Sequence, residues 1–258
     1  QFESRKEKFL SLVDELENID TTNWTTYYKV DMHIVKAEMN GYDFNYRVLR
    51  PWVRDPAFYQ TIWMYESDVP AHEGPTNHSL LEFWQYDFPL KKQDAQKMAY
   101  ELKIIPKLLF QARGNLTGNA RDLWVAGIEN FKDQEKNILY IKEKIRDEHG
   151  NKFDKFLKKP IEKALKANKE FLDWLISKEP SKNGPSGIGK ENYSWYQQNV
   201  HLVPLSWEEE VSLLKRELNR AWSSLKFQEH LNRNLPPLES AKTKEEFDTM
   251  KENGVNRL

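Results

Sequence analysis

At 258 residues, 39% hydrophobic and 31% charged, the chain can bury a core as one large domain or two small ones. A net charge of −1 excludes the basic footprint of a nucleic-acid or anionic-membrane binder. The absence of Cys excludes disulfides, thiolate metal sites and a Cys nucleophile.

No apolar run reaches the roughly 20 residues needed to cross a bilayer, so no transmembrane segment is expected. The sequence starts at Gln1 rather than Met, which reads as a processed N-terminus or a piece of a longer chain with a signal peptide removed. Four Asn-x-Ser/Thr sites occur, at Asn23, Asn77, Asn115 and Asn192; with this many Asn about two would be expected by chance, so they carry little weight. Nine Trp, eleven Tyr and thirteen Phe make a heavy aromatic load. It serves either as inter-helix packing or as the lining of a groove for peptide or sugar.

The apolar period is helical almost throughout. Phe9, Leu12, Val13, Leu16 and Ile19 form a first stripe. Tyr28, Met32, Val35, Met39, Tyr42, Tyr46 and Leu49 alternate spacings of four and three. That seam predicts a helix of about six turns packed against neighbours. Pro51 ends it. Pro56 restarts the chain, with Ala57 to Glu66 expected to be helical. Ser67 to Asn77 is a loop, and an aromatic segment from Leu80 to Phe88 is closed by Pro89.

Met98, Leu102, Ile105 and Leu109 predict a long helix, kinked or broken at Pro106. Thr117 is the expected N-cap of the next helix, carrying Trp124, Ile128, Phe131 and Ile138 and ending at Gly150. Leu157, Ile161, Ala164, Asn168, Phe171 and Leu175 mark another. Pro180 to Gly189 reads as a hinge or a long connection. Ser206 and Glu209 form a capping box opening a helix whose expected buried face is Leu214, Leu218, Ala221 and Leu225, broken by Pro236 and Pro237. Thr243 and Glu246 open a last short helix. The predicted fold is all-α, a multi-helix array with long antiparallel helices and aromatic-rich packing. The expected units are 1–180 and 187–258.

The chemical motifs are mostly negative. A gluzincin zinc site needs two His four apart on one helix face, with Glu between them. None of His33, His72, His78, His149, His201 and His230 meets that spacing; His72 precedes Glu73, but position 76 is Thr. No metal ligand and no catalytic residue is therefore assigned within the chain. There is no GxSxG motif, and Ser186 lies in a loop. GIGK at 187–190 is not a phosphate loop. Glu208, Glu209 and Glu210 fit a first-turn dipole role.

The strongest binding candidate is the cluster of Tyr193, Trp195, Tyr196, Asn199 and His201. Tyr and His can stabilise an oxyanion, and Asn can hold a peptide backbone. On a helix, Tyr193, Tyr196 and Val200 would share one face, with Trp195 and Asn199 on another. The plain reading of the cluster is a packed aromatic face. Arg50 or Arg54 can grip a carboxylate through a bidentate fork, or serve with Asp55 as a structural turn; Arg113 is treated alike.

Three stretches carry a resemblance: LRPWVRDPAFY at 49–59, IPKLLFQARGNLTGNARDLW at 105–124, and GIGKENYSWYQQNVHLVPLSWEEEVSLLKRELNRAWSSL at 187–225. Together they resemble the bacterial family called domain of unknown function 885, whose members look like zinc peptidases of the helical gluzincin type. The resemblance implies the N-terminal part of that fold, with the HExxPGH motif and its zinc in a C-terminal half beginning after Leu258. It also implies a substrate-groove role for Tyr193, Tyr196, Asn199, His201 and Arg50. The implied partners are the chain's own C-terminal half, or a second chain piece, and a peptide substrate. A secreted or periplasmic setting follows from the same likeness. The alternative is a non-catalytic helical module binding peptide, carbohydrate or a partner protein.

Overall fold

The computed structural model describes residues 2–66, 80–235 and 240–255. The expected loop at Ser67 to Asn77, His72, His78, and the break at Pro236 and Pro237 lie outside them. The described chain is predominantly helical, as its period predicts. It divides into two compact units, Gln1–Pro204 and Leu205–Leu258. The stretch 180–189 joins two helices inside the first unit.

The first unit is built on three long helices, α4 (Lys92–Asn115), α5 (Arg121–His149) and α6 (Asp154–Lys178). α6 packs against both of the others. Trp124 at the start of α5 donates its indole N–H to the Leu175 carbonyl near the end of α6 at 2.9 Å, so these two run antiparallel. Arg113 at the end of α4 lies over the Trp174 ring at 6.0 Å, so α4 and α6 run the same way. Residues three and four apart share a helix face. That is why Met98, Leu102, Ile105 and Leu109 meet Phe131, Ile138, Ile161, Ala164, Phe171 and Leu175 in one core. α4 continues through Pro106 without a break. Gly150, at φ 55°, ends α5 as expected.

α1 (Phe2–Glu17) and α2 (Thr26–Phe44) precede this core, and α2 passes into a π turn at Asn45–Leu49. After α3 (Pro51–Arg54) comes a 3₁₀ turn at Pro56–Tyr59 and then β1 (Ile62–Trp63). β1 pairs in parallel with β2 (Leu81–Glu82), Ile62 opposite Leu81. Ala57 to Glu66 is therefore not the helix the sequence predicts. Thr61 and Ile62 spend their backbone N–H groups on the buried Gln134 side chain instead. The 3₁₀ turn sits so close to α5 that a Cβ on Gly127 would come within 2.6 Å of Pro56 Cβ. Glycine in mid-helix here is an approach requirement.

α2 packs against a neighbour as expected but with its seam only partly covered, Met32, Met39, Tyr46 and Leu49 being half-buried, and the expected burial of a second helix is overturned. On α2 the buried residues are Ala37 and Phe44, while Val35, Tyr42 and Tyr28 (57% exposed) face solvent. On α8 (Trp207–Leu231), in the second unit, Leu214, Leu218 (57% exposed) and Leu225 are exposed and Ala221 is exposed with them. An apolar stripe states what a helix can pack against, and burial follows only where a facing surface is present. The capping box of α8 forms as read, Ser206 Oγ accepting from Glu209 N–H at 3.3 Å and Glu209 accepting from Ser206 N–H at 2.7 Å. α9 (Lys244–Val255) is opened by Thr243, whose Oγ accepts from Glu246 N–H.

Candidate functional site

The connection from α6 to α7 (Lys190–Asn199) is tied down at nearly every residue. Arg54 Nη2 donates to the carbonyls of Ser186 at 2.8 Å and Pro185 at 3.2 Å. Ser186 Oγ accepts from the N–H of Asp122 at 2.7 Å and supplies the N-cap of α5 from a distant part of the chain. Thr117, the expected cap, does not fill that role. Asn119 Oδ1 accepts from the N–H groups of Asn183 and Gly184. A Cβ on Gly184 would lie 2.1 Å from the Asn119 carbonyl oxygen. Lys182 donates to the Gly118 carbonyl at 2.7 Å and lies 4.0 Å over the Trp124 ring. Burial, with Lys178 adding to it, holds the Lys182 ammonium below its ordinary pKa.

The same junction takes in the segment after α2. Gly118 N–H donates to the Val53 carbonyl at 2.8 Å. Tyr59 donates its hydroxyl to the Trp52 carbonyl and accepts from Asn115 Nδ2 at 2.9 Å. Asp55 accepts from Ala57 N–H, capping the 3₁₀ turn, and burial raises its carboxyl pKa. Residues 49–59 and 105–124, far apart in sequence, thus meet at one place with the 182–187 loop, whose last residue opens the 187–225 stretch.

From this junction α7 runs antiparallel to α2. Trp195 stacks on Phe44 with centroids 5.5 Å apart, and Tyr196 meets the same ring at 4.8 Å. Phe44 is 1% exposed between them. Further along, Asn40 Nδ2 donates to the Asn199 carbonyl at 3.0 Å, and Gly41 leaves room for Val200. The two faces expected of α7 are therefore both engaged by α2. Tyr196 is half-buried; burial, reinforced by Glu38, raises its hydroxyl pKa. The Asn199 side chain bonds back to the Trp195 carbonyl at 2.8 Å, and the exposed His201 ring packs edge-on to Tyr196 at 4.9 Å. Tyr193 is half-buried on the same helix. Arg50 lies at the end of the π turn, exposed, on the segment whose neighbours Arg47 and Arg54 both reach the 185–195 stretch. Tyr193, Tyr196 and Asn199 thus lie on α7 and His201 two residues beyond it, while Arg50 lies at the end of the π turn that follows α2.

Three features were invisible in the sequence. The buried Gln134 accepts from Thr61 and Ile62 and donates to Asn168 Oδ1 at 2.8 Å, and Asn168 donates to the Phe131 carbonyl, so the amide chain is fully partnered inside the core. Asn168 had shown only as a member of an apolar stripe. Tyr86 donates to Glu101 Oε2 at 2.6 Å beneath Lys97. The third is an open cleft of about 440 Å³ lined by Trp63, Met64, Tyr65, Glu66, Asp133 and Lys136, in which Asp133 and Lys136 pair at 2.8 Å.

Among the described residues no group of three His, Asp or Glu side chains is arranged to hold a metal ion. His149 accepts from Leu90 N–H at 2.7 Å and packs on Phe153, and His230 contacts Arg233. These imidazoles do not fit a zinc site. No helix among the described residues is long and apolar enough to cross a membrane. No family model, curated protein or solved structure matches the chain.

Proposed function

We propose that the chain is the N-terminal, groove-forming part of a zinc-dependent peptidase of the helical gluzincin type. The observation that carries this reading is the meeting of two of the stretches that resemble the family, 49–59 and 105–124, with the loop that leads into the third. The first two are joined directly, from Tyr59 to Asn115, and the loop is bound by Arg54 at Ser186 and, at 3.5 Å, at Gly187, the first residue of the third. In this reading the junction fixes the position of α7, and Tyr193, Tyr196, Asn199 and His201 line the approach to a substrate peptide. Zinc and the groups that ligate it belong to a C-terminal half, joined in one chain or supplied as a second piece. The protein then works in a secreted or periplasmic setting.

A second reading, a non-catalytic module binding a protein partner, peptide or carbohydrate, is favoured by the exposed apolar faces of α2 and α8, which include Tyr28, Val35, Leu218 and Trp222. Peptide hydrolysis separates the two. Protein isolated from its own organism should cleave an unstructured peptide, lose that activity to a zinc chelator and regain it with added zinc. Chelator-insensitive cleavage, or none in the native protein, would exclude the peptidase reading.

A further inference from the structure

Three arginines follow one another from the end of α2 through α3, and two of them are engaged. Arg47 pairs with Asp43 and lies over the Trp195 ring at 5.6 Å. Arg54 is bound to the carbonyls of the 185–187 loop. Arg50 stands between them, exposed, and among the described residues its guanidinium has no hydrogen-bond or ion-pair partner. Its backbone is in the left-handed region, φ 43° and ψ 54°. Glycine adopts that conformation freely and an L side chain adopts it at a cost. The residue also closes a π turn, Asn45–Leu49, and Pro51 follows it directly. Strained backbone of this kind and π turns both concentrate at ligand sites.

A long cationic side chain therefore occupies a position whose backbone geometry favours glycine, and among the described residues no hydrogen bond or ion pair accounts for it. We propose that Arg50 is a carboxylate-binding residue that takes the free C-terminal carboxylate of a peptide lying along α7. The planar guanidinium matches a carboxylate with two parallel N–H···O bonds. Arg47 and Arg54, each tied to the 185–195 stretch, hold the intervening segment at that edge. The sequence left Arg50 and Arg54 equivalent, and the structure separates them, because Arg54 is consumed by the loop carbonyls. The inference rests on the substrate-groove reading above and names the end of the peptide that the groove receives.

The test is titration of the 258-residue chain with tri-alanine bearing a free C-terminal carboxylate, and with its C-terminal amide. The acid should bind about tenfold more tightly or better, the worth of charge-assisted bonds. Arg50→Gly should erase that preference while raising Tm by about 2–4 °C through relief of the left-handed strain. Arg50→Lys should keep part of the preference, a point charge without the fork. Equal binding of acid and amide, binding of neither, or a lower Tm for Arg50→Gly would each overturn the assignment. Failure here, with zinc found in the native protein, removes the Arg50 role and leaves the peptidase reading. A retained preference in a protein without zinc does the reverse.

Discussion

Glu101 accepts the Tyr86 hydroxyl at 2.6 Å with its side chain 14% exposed. Burial raises its carboxyl pKa, and the opposing pulls of Tyr86 and Lys97 do not cancel that effect. A carboxyl whose folded pKa lies above its unfolded value binds its proton more tightly in the folded chain. Below the unfolded value, about 4.3, both states are protonated and nothing is lost. As pH rises through the window up to the folded value, ionisation costs the folded state stability, and the full cost remains above it. Glu101→Gln keeps an acceptor for Tyr86 and removes that cost. Its Tm relative to the parent should therefore climb across this window and level off above it, as read by thermal unfolding at a series of pH values. A difference that is flat with pH, or larger in acid, would contradict the burial account. At the same scale Gly127 and Gly184 show what spacing cannot reveal. Each is required by an atom from a remote segment, Pro56 in one case and Asn119 in the other.

At the scale of elements, the long helices were legible because their apolar residues recur at three and four over many turns. α4, α5 and α6 contain the stripes read for them, and Gly150 and the Ser206–Glu209 box mark ends as their local chemistry dictates. What escaped the sequence depends on contacts made elsewhere in the chain. The cap of α5 comes from Ser186, 64 residues from the N–H it receives, and no local pattern encodes it. The short β1–β2 pairing replaces a helix because a buried Gln134 absorbs the N–H groups of Thr61 and Ile62. The residues of α7 were legible as a cluster, yet which of them contact α2 depended on Phe44 and Gly41, residues with no motif of their own. The stripe of α8 was legible but its burial was not. Leu218→Ala, at an exposed position, should change stability by no more than about 0.5 kcal/mol. Ile138→Ala in the three-helix core should cost about 2–5 kcal/mol. Chemical denaturation of the 258-residue chain measures both. A Leu218→Ala cost matching that of Ile138→Ala would mean that α8 is buried in solution.

Over the whole molecule, three residues weighed in the sequence for other roles, Arg54, Asp55 and Ser186, belong to the junction that precedes α7. Arg54, Asp55, Tyr59, Asn115, Gly118, Asn119, Gly184 and Ser186 form a rigid junction of satisfied hydrogen bonds. Such a junction is what a groove needs, since a binding side chain is useful only when its supporting shell cannot shift. The exposed faces of α2 and α8 are chemically suited to a further protein surface, whichever chain supplies it. The measurement that tests the account most directly is a denaturing intact mass of the protein isolated from its own organism, with zinc content read on the same sample. If the chain is part of a zinc peptidase, the mass will lie near twice the 30.7 kDa of this chain, or two pieces will co-purify, with about one zinc per molecule. A mass of 30.7 kDa without zinc would contradict it and leave a binding module.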